Sequence, residues 1–168
     1  GRVMLTTKLP QWLVEKESDM DRLLDEQLKK LDVSYLDFYL LHALDGSSFD
    51  KLKRLNYQKF LEKAKADGRI RHAGFSFHGE KDAFVDIIDG YDWDMAQIQF
   101  NYLDDTAQAT LEGLLYAQRR GIPVVVMEPL RGGALANPPE DIRDTIDANP
   151  RGWSPVEWAF RYVGDFRN

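Results

Sequence analysis

No cysteine occurs anywhere in the sequence. That absence excludes a disulfide, a thiolate nucleophile, a cysteine-ligated zinc and an iron–sulfur cluster on this chain, and it suits a cytoplasmic location. No apolar run approaches the ~20 residues needed to span a bilayer, so no membrane partner is expected. Gly1-Arg2-Val3-Met4 reads as the opening of a strand and not as a signal peptide. Charge of one sign is nowhere concentrated. The 22 basic and 28 acidic residues are interspersed, for a net charge of −6, which argues against a nucleic-acid partner. Histidine is scarce, and His42, His72 and His78 carry no accompanying ligand motif, so no metal site is expected. Neither G-x-G-x-x-G nor a Walker lysine loop is present, and Leu130-Arg131-Gly132-Gly133 is a flexible loop with one cation. A Rossmann-type dinucleotide site is therefore disfavoured.

What is present is enough apolar material, 43% of 168 residues, for one domain over residues 1–168. Val3 to Leu9 is a short strand stopped by Pro10. Ser18 with Asp21 resembles a capping box, and Met20, Leu23, Leu24, Leu28 and Leu31 follow at helical spacing. Tyr35 to His42 is a nearly continuous apolar run, as in a strand buried on both faces. Asn56 is placed to cap a helix carrying Tyr57, Phe60, Leu61 and Ala64, ended by Gly68. Ile70 to Phe77 is the next strand, and Phe84, Ile87 and Ile88 mark a short helix. In Met95 to Tyr102, Ala96, Ile98 and Phe100 alternate with Gln97, Gln99 and Asn101, as in a strand. Leu111, Leu114 and Leu115 define a helix closed by Gly121, and Pro123 to Met127 is a fifth strand. In the last helix Ser154 is the cap, Pro155 the first residue and Glu157 completes the box, with Trp158, Ala159 and Tyr162 facing inward.

Five strands alternating with five helices predict an α/β protein with a parallel sheet. Two architectures satisfy that pattern. A five-stranded doubly wound sheet fits the length, whereas a TIM barrel needs eight strands and typically ~250 residues. Lys8, His42, Ser76, Gln97 and Glu128 lie at or near the carboxyl ends of the predicted strands, the edge at which parallel α/β folds bind ligands. Each also has an ordinary reading. A lysine at a strand end is commonly a solvated charge, and a histidine after a buried run is commonly a satisfied core residue. Most tyrosine, tryptophan and methionine residues read as core.

Thr6-Thr7-Lys8-Leu9, Asp37 to His42, Gly74-Phe75-Ser76-Phe77, Ala96 to Tyr102 and Glu128-Pro129-Leu130-Arg131-Gly132-Gly133 together resemble, in order and spacing, the aldo-keto reductases. The Phe-Ser-Phe-His and Glu-Pro-Leu-Arg-Gly-Gly versions are similar to the bacterial and archaeal branch that often carries a ferredoxin-like extension. The resemblance implies strands three to seven of a (β/α)8 TIM barrel, an incomplete barrel lacking both ends. It implies an NADP-dependent oxidoreductase that reduces aldehydes or ketones by hydride transfer, with a small carbonyl compound as substrate. The family's catalytic group is a tetrad of Asp, Tyr, Lys and His, of which Lys8 and His42 match the last two. The first two precede the strand at which this sequence begins, so the chain alone is expected to be inactive. By the same resemblance Ser76 and Gln97 meet the nicotinamide carboxamide, Met127 flanks the ring, and Glu128, Pro129 and Leu130 line the pyrophosphate. Most relatives carry asparagine after that serine and an aromatic residue at the stacking position, where this sequence has Phe77 and Met127. The family's main grip on the 2′-phosphate follows an eighth strand, beyond Asp165-Phe166-Arg167-Asn168. His78 is left as a substrate-pocket candidate. The alternative reading is a non-catalytic partial barrel, a binding or homo-oligomerising module that pairs through its open strand edges.

Overall fold

The computed structural model describes residues 3–166. Gly1 and Arg2, at the start of the expected first strand, lie outside the described residues, as do Arg167 and Asn168 at the other end. In chain order the elements are β1 (Thr6–Leu9), α1 (Glu17–Leu31), β2 (Leu36–Leu44), α2 (Gly46–Arg54), α3 (Tyr57–Ala66) and β3 (Ile70–Phe77). Then come α4 (Lys81–Asp89), β4 (Met95–Gln99), α5 (Thr110–Arg119), β5 (Val124–Met127), α6 (Glu140–Asp147) and α7 (Pro155–Asp165). All four strand pairings are parallel, and the order across the sheet is β1-β2-β3-β4-β5. Sequence order and spatial order coincide. A doubly wound sheet reverses its order at a switch point, whereas a barrel adds each strand beside the last, so the topology selects the barrel over the architecture that length alone favours.

Residues paired across parallel strands share a face, and one face of this sheet is sealed by helices. Leu9, Tyr39, Leu41, Ala73, Phe75, Phe77, Ala96 and Ile98 are all fully buried there. Tyr39 meets Phe60 of α3, and Phe75 and Phe77 both meet Phe84 of α4, with ring centroids 5.1–6.2 Å apart. Such contacts supply the hydrophobic term that holds the helices on the sheet. The opposite, inner face carries Lys8, Leu40, Gly74 and Met95 in one row, followed by Ser76, Gln97 and Val125 in a higher one. Gly74 has no room for a side chain: an added Cβ would sit 2.5 Å from the Met95 carbonyl oxygen and 2.6 Å from Leu40 Cδ2.

Several local expectations are corrected. The first strand begins at Thr6 and not at Val3. The Leu5 N–H that would continue the ladder is taken instead by the Asp37 carboxylate, at 2.9 Å. Helix α1 is capped by Asp19, which accepts from the Glu15 and Lys16 amides, and not by a Ser18–Asp21 pair. Asp21 faces outward to bind Arg69 and Lys63. Asn56 precedes α3 in a left-handed conformation but makes no capping bond, its amide reaching Glu17 instead. Strand β4 stops at Gln99 because Asn101 turns the chain, its side chain accepting from the Leu103 and Asp104 amides. The described residues form seven α-helices in place of five. Helix α2 has little sequence signal because Phe49 and Leu52 alone supply its apolar face, and what fixes it is Asp45, which accepts from the Ser48 amide at 2.7 Å. The last helix has the expected cap, with Ser154 and Glu157 closing a box around Pro155.

Candidate active site

The carboxyl ends of β1 to β5 bring five of the expected residues to one face. Lys8 is registered with Leu40, His42 lies two residues beyond Leu40, Ser76 pairs with Gln97, and Met127 pairs with Gln99. The alternation expected in β4 holds: Ala96 and Ile98 are buried under helices, and Gln97 takes the other face.

Lys8 makes no ion pair among the described residues, and burial holds its ammonium below the ordinary lysine value. His42 is held below its ordinary value near 6.5, first by burial and then by the positive charges of Lys8 and His78. The imidazole is therefore neutral at physiological pH and offers one donor and one acceptor. Trp12, in the turn that follows β1, lies against it at 5.1 Å between ring centroids. Ser76 is fully buried and its Oγ accepts the Ala43 backbone N–H at 2.8 Å. Beside it, Gln97 Oε1 is buried and has no hydrogen-bond partner among the described residues. An orphaned acceptor of this kind is costly in a native fold and marks a place for a donor from outside the chain.

At the end of β5, Glu128 is exposed and left-handed at φ 57°, as are Arg131 at 49°, Gly132 at 63° and Gly133 at 94°. The Glu128 carboxylate accepts the Gly132 N–H and closes the loop on itself. The Arg131 and Gly133 amides are spent on loop carbonyls, while those of Glu128 and Leu130 meet no acceptor among the described residues and Pro129 has none to give. Asn101, wholly buried, ties this loop to β4: its Nδ2 donates to the Glu128 carbonyl at 3.1 Å and to Asp104 Oδ2 at 2.9 Å. Arg131 Nε lies 3.3 Å from the same Asp104.

Two residues gain a place here that sequence pattern does not give them. Trp12 fits the pattern of a core aromatic but is 55% exposed against His42. Its position just past Pro10, at the ligand-binding edge of β1, is the available signal. Asn101 fits one member of a polar strand face and instead anchors the loop after β5. His78 is exposed beyond β3, within electrostatic reach of His42. His72 stands two rows below Ser76, bonded to Asp94 and stacked on Phe38, away from the other two histidines.

The model of the Aldo/keto reductase family matches residues 1–164. The chain belongs to the aldo/keto reductase family. No curated protein matches the sequence significantly. Among solved structures, the holo form of aldo-keto reductase AKR11C1 from Bacillus halodurans is similar at 20% identity and a TM-score of 0.77, over 98% of this chain and 59% of that one. An aldo/keto reductase from Brucella melitensis is similar at 22% identity and a TM-score of 0.72, over 97% and 59%. One from Klebsiella pneumoniae, solved in complex with NADPH, is similar at 21% identity and a TM-score of 0.71, over 96% and 55%. The chain thus spans somewhat over half the length of these relatives, and at such identities the likeness is one of fold: five consecutive strand–helix units of the aldo/keto reductase barrel. No helix among the described residues is long and apolar enough to cross a membrane.

Proposed function

We propose that the inner face of this aldo/keto reductase sheet is a nicotinamide site, and that the protein to which it belongs reduces small aldehydes or ketones with NADPH. The observation that carries this reading is the unpartnered Gln97 Oε1, placed beside the Ser76 hydroxyl on the face that also holds Lys8 and His42. A carboxamide offers an N–H₂ for that oxygen and a carbonyl for a hydroxyl or amide donor, so the residues present fit the group. The Klebsiella relative's complex with NADPH supports the same choice of cofactor.

The bound nucleotide supplies the hydride. The chain's residues then divide the remaining work. Gln97 and Ser76 orient the carboxamide, and Met127 at the end of β5 flanks the ring. The Glu128 and Leu130 amides, which meet no acceptor among the described residues, would hold the pyrophosphate. Neutral His42 donates a hydrogen bond to the substrate oxygen, and Trp12 covers its ring and limits water. Lys8, charged and without a counter-ion among the described residues, stabilises the negative charge that grows on that oxygen or on the phenolate of the family's proton-donating tyrosine. The test is binding: NADPH or NADH should quench the chain's tryptophan fluorescence saturably, with affinity falling about tenfold in Gln97→Ala for one lost hydrogen bond. A folded sample that shows no quenching by either nucleotide would contradict the reading.

Both edges of the sheet favour a second reading. Val3, Met4 and Leu5 beside β1 are 77%, 60% and 38% exposed, and Val125 of β5 is 42% exposed. Apolar residues next to unpaired strand edges favour pairing with another copy of the chain. Sedimentation as a dimer would support that module, and sedimentation as a monomer at micromolar concentration would oppose it.

A further inference from the structure

Strand β2 does not run straight past its histidine. Leu41 pairs with Phe75 but Leu44 with Phe77, so two residues of β2, His42 and Ala43, stand opposite the single residue Ser76 of β3. Ala43 sits there at φ 51°, a left-handed conformation that a residue with a Cβ rarely adopts. Such a bulge persists only where the surroundings hold it. What holds it is a side chain from the next strand: Ser76 Oγ, fully buried, accepts the Ala43 N–H at 2.8 Å across 33 residues of sequence.

We propose that Ser76 is the positioning residue for His42, its hydroxyl pinning the left-handed Ala43 so that the imidazole is set against Trp12 and beside Lys8 at the mouth of the inner face. This rests on the reading of that face as the reactive site, but it assigns Ser76 a task that is complete before any nucleotide arrives. With one lone pair occupied by Ala43, the hydroxyl proton and the second lone pair remain to be offered to a ligand. One side chain therefore ties the placement of His42 to the group lying beside Gln97. Gln97, its neighbour in register, has no such bond to β2 among the described residues and serves only the ligand side.

The test uses the whole chain without nucleotide and reads His42 directly by NMR. The native protein should show a nuclear Overhauser contact between the Trp12 and His42 rings and a His42 titration midpoint below 6.5, set by burial and by the charges of Lys8 and His78. In Ser76→Ala the ring contact should be lost and the midpoint should rise toward 6.5, while Gln97→Ala leaves both unchanged. Adding Ala43→Gly should restore both, because glycine takes the left-handed conformation without strain. Ser76→Cys keeps the side-chain shape, slightly enlarged, with a weaker acceptor and should shift His42 part of the way; it takes the place of Ser76→Ala should that variant not fold. An unmoved His42 in a folded Ser76 variant overturns the proposal. Displacement of His42 together with a failure of NADPH to bind would leave the positioning role standing and reject the nicotinamide reading.

Discussion

Asn101 offers the sharpest test of how the site is held. Its side chain makes four hydrogen bonds while wholly buried: Oδ1 accepts the Leu103 and Asp104 amides at 3.0 Å each, and Nδ2 donates to Asp104 Oδ2 and to the Glu128 carbonyl. In Asn101→Ala the Asp104 amide keeps a second acceptor, the residue 101 carbonyl at 3.2 Å. The Leu103 N–H loses its partner, although Leu103 is exposed enough for water to meet part of the loss, and the Glu128 C=O keeps only the Arg131 N–H at 3.0 Å. One incompletely compensated donor at about 1 kcal/mol, with one tether to the loop removed and a small cavity added, gives an expected destabilisation of about 1–2 kcal/mol. Urea unfolding followed by circular dichroism should show a lower midpoint at unchanged slope. Asn101→Asp keeps both acceptor bonds but sets a second carboxylate against Asp104. It should be at least as damaging at neutral pH and recover as acid protonates the pair. A loss below about 0.5 kcal/mol for Asn101→Ala would refute the claim that this residue anchors the loop after β5.

Gly74→Ala should destabilise by about 2–3 kcal/mol, since its Cβ meets the Met95 carbonyl, which is backbone and cannot yield; a change under about 0.5 kcal/mol in the same urea experiment would contradict the packing described. Lys8→Met should raise the urea midpoint, because it removes a partly buried cation that has no counter-ion among the described residues; a lower midpoint would point to a structural ion pair instead. His42 is held below 6.5 in the folded chain, so between that value and its folded midpoint the unfolded chain binds more protons. Its contribution is therefore fully present above 6.5 and stability falls as pH drops through that window. His42→Asn should flatten the decline between about pH 7 and about pH 5, with His72 and His78 common to both proteins, and identical slopes would refute it.

Much of the scaffold is legible because period carries it. Ala96, Ile98 and Phe100 alternating with Gln97 and Gln99 fix which side of β4 lies under the helices, and Ser154-Pro155 with Glu157 announces α7 through local chemistry that tertiary structure does not override. Length misleads, since 168 residues fit a doubly wound sheet, and only the spatial order of the strands distinguishes that from part of a barrel. Helix α2 escapes because a short helix with two buried apolar side chains gives almost no periodic signal. At the site, strand-end positions expose Lys8, His42, Ser76 and Gln97 as a group. The bulge at Ala43 and its tether to Ser76 are invisible, because a left-handed alanine has no sequence signature and its partner lies 33 residues away. Trp12 escapes for a similar reason: tryptophan is usually core, and only the three-dimensional mouth of the sheet shows what it covers.

The most direct measurement is an NMR titration of the intact chain with NADPH, following the Gln97 side-chain amide and the His42 ring. The two signals are expected to move together and saturate at one affinity, and the response of His42 should weaken in Gln97→Ala. Shifts confined to the surface around Trp153 and Trp158, or a folded chain in which neither Gln97 nor His42 responds, would contradict the assignment of the inner face as the nicotinamide site.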